Sequence, residues 1–538
     1  MSKKKSVKLN YIFNLLYQIF LIAVPLITTP YISRVLGSSG VGQYSFTLSI
    51  ASYFMLFAGL GFGYYAQREI ARLQDDPEGK SKVFWEIVIC KTVSTLLALG
   101  VYAILLFAGA YDSSYTTLLL ILFMNVSSVI FDISFLYQGN EEFGLLTIKN
   151  VSVKLIGVLL IFIFVKRPDQ VWVYALIQSV SLVLSNLAMW VGLFKRIKKV
   201  KPSELKVTRH IKPTLRLFIP TLAVSVYMVL DKTLIGFLVP GEVTTTLDDG
   251  TTVVARVADL ENGYYEQSEK IVKMAMTIVT SLGTVMIPRN SKEIADGHME
   301  TFVLNVHKAI RFVFFLGTPI MLGMVAIAQN FAPWFFGAGF EKAPYLIMIL
   351  SPLIMLIGLN NVVGLQYLIP LKEDTKFTIC VCIGAGVNLT LNLCMIPFLY
   401  SYGAAIATII AETVVTTMTF VFARKDMDFK SIAKTAWKYL LAGAIMFGAT
   451  FVTQMFLPSS ILNTFIIVGE GMVIYVGLLF LFRDDFLINL TQKALRKVFR
   501  KKAVAAETTG EEEPAQIEEN NENPDEAPEQ PSEEDPKE

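Results

Sequence analysis

Apolar runs of about 20 residues recur along this chain from end to end, and that recurrence leaves few folds open. Wound into an α-helix, such a run spans roughly the 30 Å of hydrocarbon in a bilayer. Only 17% of the 538 residues are charged, too few to solvate the surface of a water-soluble chain this long. The expected fold is therefore an all-α polytopic membrane protein.

Fourteen spans are predicted. The first six run Leu9–Ile32, Tyr44–Gly63, Phe84–Gly109, Thr116–Tyr137, Leu145–Val165 and Val171–Phe194. The next six run Leu215–Val239, Tyr264–Ile287, Val303–Ala328, Tyr345–Leu368, Phe377–Leu399 and Gly403–Phe422. The last two are Tyr439–Leu457 and Ile461–Phe482. The run after the basic leader Met1–Lys8 continues through Ile32 and contains Pro25 and Pro30, too long for a cleavable signal core.

Lysine and arginine set the orientation. The N-terminus carries Lys3, Lys4, Lys5 and Lys8, and an even number of spans puts the C-terminal cluster Lys493–Lys502 on the same side. The strongest basic loop, Lys195–Lys212, also falls there, so both termini are expected in the cytoplasm. From Glu507 onward there are fourteen acidic residues and one lysine, which leaves 46 basic and 31 acidic residues in the rest of the chain. A membrane body of about +15 suits anionic lipid or an anionic substrate.

The domain reading follows: an N-terminal lobe over 1–194, a basic linker over 195–213 and a C-terminal lobe over 214–424. Residues 425–502 hold the last two spans and a basic segment that fits an amphipathic helix from Leu490. Residues 503–538 form an acidic tail with almost nothing apolar to bury. Val24-Pro25 followed by Leu36-Gly37 in the first half is echoed by Ile219-Pro220 followed by Ile235-Gly236 in the second. Two related six-helix lobes plus two C-terminal helices suit a transporter with its site between the lobes. Gly37 and Gly42 are five residues apart, whereas Gly236 and Gly263 are twenty-seven apart. The insertion, 240–262, has β-branched runs either side of Asp249-Gly250 and predicts a small extracellular β-hairpin.

Asp231 and Lys232 stand side by side inside the seventh span, where a charge costs roughly 2.5–3.5 kcal/mol. The eighth carries Glu269, Lys270 and Lys273 at a similar depth. Such a cluster predicts a polar, mainly cationic cavity for an anion such as a phosphate or pyrophosphate. Ion pairs that only fix helix register (Asp231 with a lysine, Glu266 with Lys270, Glu269 with Lys273) are the competing reading. Arg34 ends span one, Lys154 lies deep in span five and joins the cavity set, and Glu412 lies in span twelve. Asn10, Asn14 and Gln18 give span one a polar face. Asp231 and Glu412 are the candidates for coupling to H⁺ or Na⁺. His210, His298 and His307 are expected on solvated surface. The cysteines Cys90, Cys380, Cys382 and Cys394 show no metal spacing. No Walker loop, HExxH or nucleophile with an evident base is present, so neither an enzyme nor a cofactor is expected, and no metal.

Four stretches together resemble the bacterial polysaccharide (oligosaccharide–lipid) flippases, the Wzx-like polysaccharide transporter family. Its superfamily also holds multidrug-and-toxin extruders and peptidoglycan lipid flippases. The stretches are Ile27–Gly37 with Gly42–Ser45; Asp132–Phe135 with Tyr137–Phe143; Asp231–Gly236 with Gly263–Glu266 and Lys270; and Pro288-Arg289. Phe135 stands where that family often has tryptophan. The resemblance implies a V-shaped, alternating-access bundle in the bacterial cytoplasmic membrane that moves a polyprenyl-pyrophosphate-linked glycan outward. It implies that Arg34, Lys232, Lys270 and Lys273 hold pyrophosphate and sugar, with Asp231 and Glu269 keeping the lysines oriented. The cargo classes are capsule, exopolysaccharide or teichoic acid precursors, and glycan polymerase or glycosyltransferases of the same pathway are the partners to expect; no nucleic-acid partner is. One chain with two lobes suffices for a cavity, so a monomer is expected. A multidrug/cation antiporter and a peptidoglycan lipid flippase are the alternatives.

Overall fold

The computed structural model describes residues 7–246, 252–281 and 283–492, together with Arg496. The Asp248-Asp249-Gly250 turn, the basic segment from Lys493 (Arg496 apart) and the acidic tail lie outside the described residues, as do the side chains of Asn10, Asn14 and Gln18.

The chain begins with α1 (Val7–Gly59), 53 residues or about 80 Å of helix, more than twice a bilayer core. It accommodates this by breaking at Gly37, where φ 66° and ψ 178° open a corner that a Cβ would oppose. Spans one and two are thus the two arms of one bent element. Next come α2 (Phe62–Arg72) and α3 (Pro77–Phe107). Asp76 caps α3, accepting from the Glu78 and Gly79 amides at 3.1 and 2.9 Å, with Pro77 at the first helical position. α3 is followed by α4 (Thr116–Phe131), α5 (Ser134–Gly139), α6 (Phe143–Phe164) and α7 (Val171–Trp190).

Short turns lead into α8 (Ile211–Leu238). The hairpin follows, with β1 (Glu242–Thr246) antiparallel to β2 (Thr252–Arg256) and Glu242 opposite Arg256. It is shorter than the expected insertion, because α9 (Val257–Thr280) begins directly after β2 and takes residues 257–262 into helix. The chain continues with α10 (Gly283–Ala295), α11 (Met299–Phe336), α12 (Ala343–Leu350), α13 (Leu353–Asn360), a π-helical stretch over 361–368 and α14 (Asp374–Ala423). α14 is also of double length and turns at Tyr400, φ 52° and ψ −130°, a conformation strained for a residue with a Cβ. Spans eleven and twelve are its arms. α15 (Phe429–Phe456) and α16 (Ile461–Leu481) are the last two spans.

Ten helical segments among the described residues are long and apolar enough to cross a bilayer. Two of these are the double-length ones. α9 falls short because it carries the charged cluster, and α8 has the length of a span. The outward faces are apolar, as lipid requires: Leu97, Ile104 and Phe107 on α3, Leu159 and Ile163 on α6, and Phe465 and Val473 on α16.

The residues divide into two units, 1–478 and 479–538. Within the second, Asp484 accepts from the Leu487 amide at 2.9 Å and opens a short helical stretch. Within the first, α1 packs on α3, α4 and α6, α8 packs on α14, and α9 packs on α12 and α13. The most extensive inter-helix pairing joins distant parts of the sequence, α1 against α9.

Candidate functional site

The α1–α9 crossing is close because glycines leave room for it. A Cβ on Gly42 would stand 1.7 Å from the Asp259 carbonyl oxygen, and one on Gly263 would stand 2.0 Å from that of Ser38. On α8, a Cβ on Gly236 would strike the Phe46 ring. Side chains reinforce this seam at the corner-and-hairpin end. Tyr115 donates to Asp259 Oδ1 at 2.6 Å, and Arg256 donates to the Tyr115 hydroxyl at 3.0 Å and to the Gly236 carbonyl at 3.2 Å.

Further along the same seam lies the charged cluster. Lys232 of α8 pairs with two glutamates of α9, Glu266 at 2.5 Å and Glu269 at 3.0 Å. One turn on, Lys270 faces Glu266 at 3.6 Å and Lys273 faces Glu269 at 2.6 Å. Ser45 of α1 donates to Glu266 at 3.1 Å, which ties α1 to the cluster. Three lysines therefore meet two glutamates, and the excess positive charge is a single unit. Lys270 and Glu266 also border a narrow cleft of about 40 Å³ with Thr28, Thr29 and Tyr44 of α1.

The predicted residues divide by location. Lys232, Glu269, Lys270 and Lys273 come together. Asp231 is adjacent in sequence, but roughly 100° around the helix from its neighbour, and it faces the C-terminal lobe. It accepts from Tyr265 at 2.5 Å, Asn392 at 2.6 Å and Thr408 at 2.6 Å, and bonds to none of the three lysines. The second carboxylate of the cluster is Glu266. Arg34 donates to the Trp334 carbonyl at the end of α11, a lobe-to-lobe contact outside the cluster. Lys154 lines a separate chamber in the N-terminal lobe. Glu412 is buried on α14 near Tyr227, and its Oε2 has no hydrogen-bond partner among the described residues.

The expectation for the histidines fails at His210. Only 2% exposed, it bridges Tyr65 at 2.8 Å and Glu86 of α3 at 2.7 Å. Glu86 also takes Arg209 at 2.6 Å and the Lys206 amide at 2.6 Å. The basic linker is thus fastened to the N-terminal lobe, and burial of one carboxylate on α3 is what draws the histidine in. His298 is exposed and His307 half-buried.

The family model for polysaccharide biosynthesis proteins matches residues 7–293, more than half of the chain. The chain belongs to this family. A relative from Escherichia coli (strain K12), named "Putative O-antigen transporter", is 24% identical over 434 residues, covering 79% of this chain and 98% of that one. Among solved structures, the inward closed conformation of the lipid II flippase MurJ superposes with a TM-score of 0.68 at 17% identity, over 89% of this chain and 99% of that one. An inward-facing MATE multidrug transporter superposes with a TM-score of 0.54 at 15% identity, over 77% and 99%. At these identities the superpositions establish the fold. This member of the polysaccharide biosynthesis family is a multi-pass helical membrane protein with a MATE-like architecture.

Proposed function

We propose that this protein flips a polyprenyl-pyrophosphate-linked oligosaccharide across the cytoplasmic membrane by alternating access, with both termini in the cytoplasm. The observation that carries the reading is the lysine–glutamate cluster on the lobe seam. Charges inside a spanning bundle are expensive, and these sit where two lobes meet rather than at a lipid-facing end. Lys232, Lys270 and Lys273 are the groups to meet the diphosphate through charge-assisted bonds. Glu266 and Glu269 hold those lysines in place until the anion arrives and reclaim them after it leaves. The glycine crossing at Gly42 and Gly263 then closes the outer end, while the other end admits substrate. An inside-negative potential favours outward movement of negative charge by about 2.3 kcal/mol per charge per 100 mV. Asp231 and Glu412 are the groups proposed for ion coupling, since neither is hydrogen-bonded to a lysine or arginine among the described residues.

The test is flipping of a short-chain polyprenyl-pyrophosphate sugar in proteoliposomes, read as headgroup exposure with and without an imposed potential. Lys270→Gln and Lys273→Gln each remove one charged bond, worth roughly 1.5–3 kcal/mol, so rates should fall about 10- to 100-fold in folded protein. Unchanged flipping in both variants, or export of organic cations with no lipid movement, overturns the reading.

A further inference from the structure

The N-terminal lobe contains a chamber of about 720 Å³ between α1, α4, α5, α6 and α7, distinct from the charged cleft but sharing Tyr44 as a wall with it. Three of its helices present polar residues to it at helical spacing. α4 gives Asn125 and Ser128, α6 gives Thr147, Asn150 and Lys154, and α7 gives Gln178, Ser181 and Ser185. From Gln178 to Met189 on α7 the lining extends about 16 Å along the helix axis. A membrane helix turns amides and hydroxyls inward when they line a cavity that holds something polar.

The chemistry of the lining is nearly neutral. Its two ionisable residues are Asp132 and Lys154. Asp132 is already occupied, 3.6 Å from Lys91 and accepting from the Ser134 amide at 2.9 Å. That leaves Lys154 as the charge the lining offers, one against the three lysines of the seam cluster, so the lining suits a mainly uncharged polar ligand better than a diphosphate or an organic cation. What it offers is a set of amides and hydroxyls between apolar side chains, part of it already bonded within the protein (Ser185 to Asn150 at 2.9 Å, Asn186 to the Ser128 carbonyl at 3.0 Å, Gln178 to the Tyr174 hydroxyl at 3.0 Å), with two aromatic walls, Tyr44 and Phe143. Asn125 is the decisive member. It is 4% exposed, lines the chamber, and its Oδ1 has no partner among the described residues. A buried acceptor left unpaired is costly, and a ligand hydroxyl that reaches it through a small rotation of the amide removes that cost.

The opposite lobe is built differently. There Asn388, Asn392, Thr408, Tyr265 and Asp231 bond to one another around a carboxylate, which leaves Asn392 Oδ1 as the one open acceptor of that set among the described residues.

We infer that this N-terminal chamber binds the uncharged sugar residues of the glycan headgroup, while the diphosphate stays at the lysine cluster. The inference rests on the proposed flippase reading and names the subsite that selects the cargo. Its volume falls within the 300–1,000 Å³ of small-molecule sites. Gly157 leaves Ser181 its place in the wall, because a Cβ there would stand 2.5 Å from the Ser181 hydroxyl.

The test is equilibrium binding to the full chain in nanodiscs. The probes are bare decaprenyl diphosphate and decaprenyl diphosphate bearing N-acetylglucosamine or a hexosyl-N-acetylglucosamine disaccharide. Two or three new hydrogen bonds predict that a glycosylated probe binds about tenfold or more tightly than the bare lipid. Asn125→Leu and Gln178→Leu should each erase most of that gain and leave bare-lipid affinity unchanged. Gln178 is less buried, so its variant carries the test if Asn125→Leu fails to fold. Bare lipid bound with no gain from any sugar overturns the chamber alone, as does a gain that survives in both variants. Failure of every lipid probe to bind overturns the flippase reading and the chamber with it.

Discussion

Alanine at Gly42 should force the lobes apart at the corner-and-hairpin end. Its Cβ would lie 1.7 Å from the Asp259 carbonyl oxygen, and real Cβ atoms do not approach within 3.0 Å, so α1 and α9 must separate by at least about 1.3 Å. The obstacle is backbone, which cannot swing away as a side chain does. Overpacking of this kind costs about 1–3 kcal/mol, or roughly 5- to 150-fold in a two-state ratio. The population parted at this end should rise by that factor. Spin labels at Ser113 and Glu242 read it by pulsed electron resonance. Ser113 adjoins Tyr115's turn, Glu242 is opposite Arg256 in the hairpin, and Arg256 and Tyr115 bond across the seam. The exposed Cys382 and Cys394 are replaced first. Gly100→Ala is the control, since nothing lies within 4 Å of its Cβ. Tyr115→Phe, which removes the Asp259 bond, should shift the distribution in the same direction. A Gly42→Ala protein with wild-type melting and a wild-type distance distribution would refute the idea that this crossing sets the equilibrium.

Two further outcomes follow from the ion pairs. Lys232→Ala leaves Glu266 and Glu269 without their shared partner and should cost about 3–5 kcal/mol, seen as a lower melting temperature that a second change, Glu266→Gln, partly restores; no loss would make the cluster energetically idle. Glu86→Ala should free the linker from α3, and trypsin should then cut after Lys206 and Arg209 many-fold faster in otherwise folded protein; an unchanged digest would mean that other contacts hold the linker.

Much of the fold is legible in the sequence because lipid imposes a length and a hydropathy on every span. The bend at Gly37 is marked by a residue that tolerates it, whereas the turn at Tyr400 is not marked at all. That strained tyrosine is held from outside: Lys342 lies over the Tyr400 and Tyr402 rings, and Ser401 is bonded to Glu261. The site is legible only in part. Spacing along α9 reveals the Glu266–Lys270 and Glu269–Lys273 pairs. Only the α8–α9 contact reveals that Lys232 bridges both glutamates. Asp231 stands out for its cost, yet its partners Asn392 and Thr408 are 161 and 177 residues away, beyond any local pattern. The burial of His210 is invisible locally for a similar reason, since its partner Glu86 is 124 residues earlier. The chamber had a local signal, the three- and four-residue spacing of polar side chains on spans four to six, which stands out less than isolated charges do.

Two of the four stretches that carry the family resemblance meet in space. Residues 27–45 of α1 lie against 231–236 of α8 and 263–266 of α9, so these stretches encode the seam and part of its cluster. On the proposed reading this separates two tasks. An anion entering the cluster exchanges one set of charge-assisted bonds for another, because every lysine there already has a glutamate. The net gain is a difference between similar quantities, so binding stays weak enough for release. Selectivity then has to come from groups outside the ion-paired cluster, and the amides and hydroxyls of the N-terminal chamber, with Asn125 Oδ1 unpaired among the described residues, are such a set. A transporter built this way keeps its diphosphate chemistry constant in the seam, and a change of cargo requires changes only in the chamber wall.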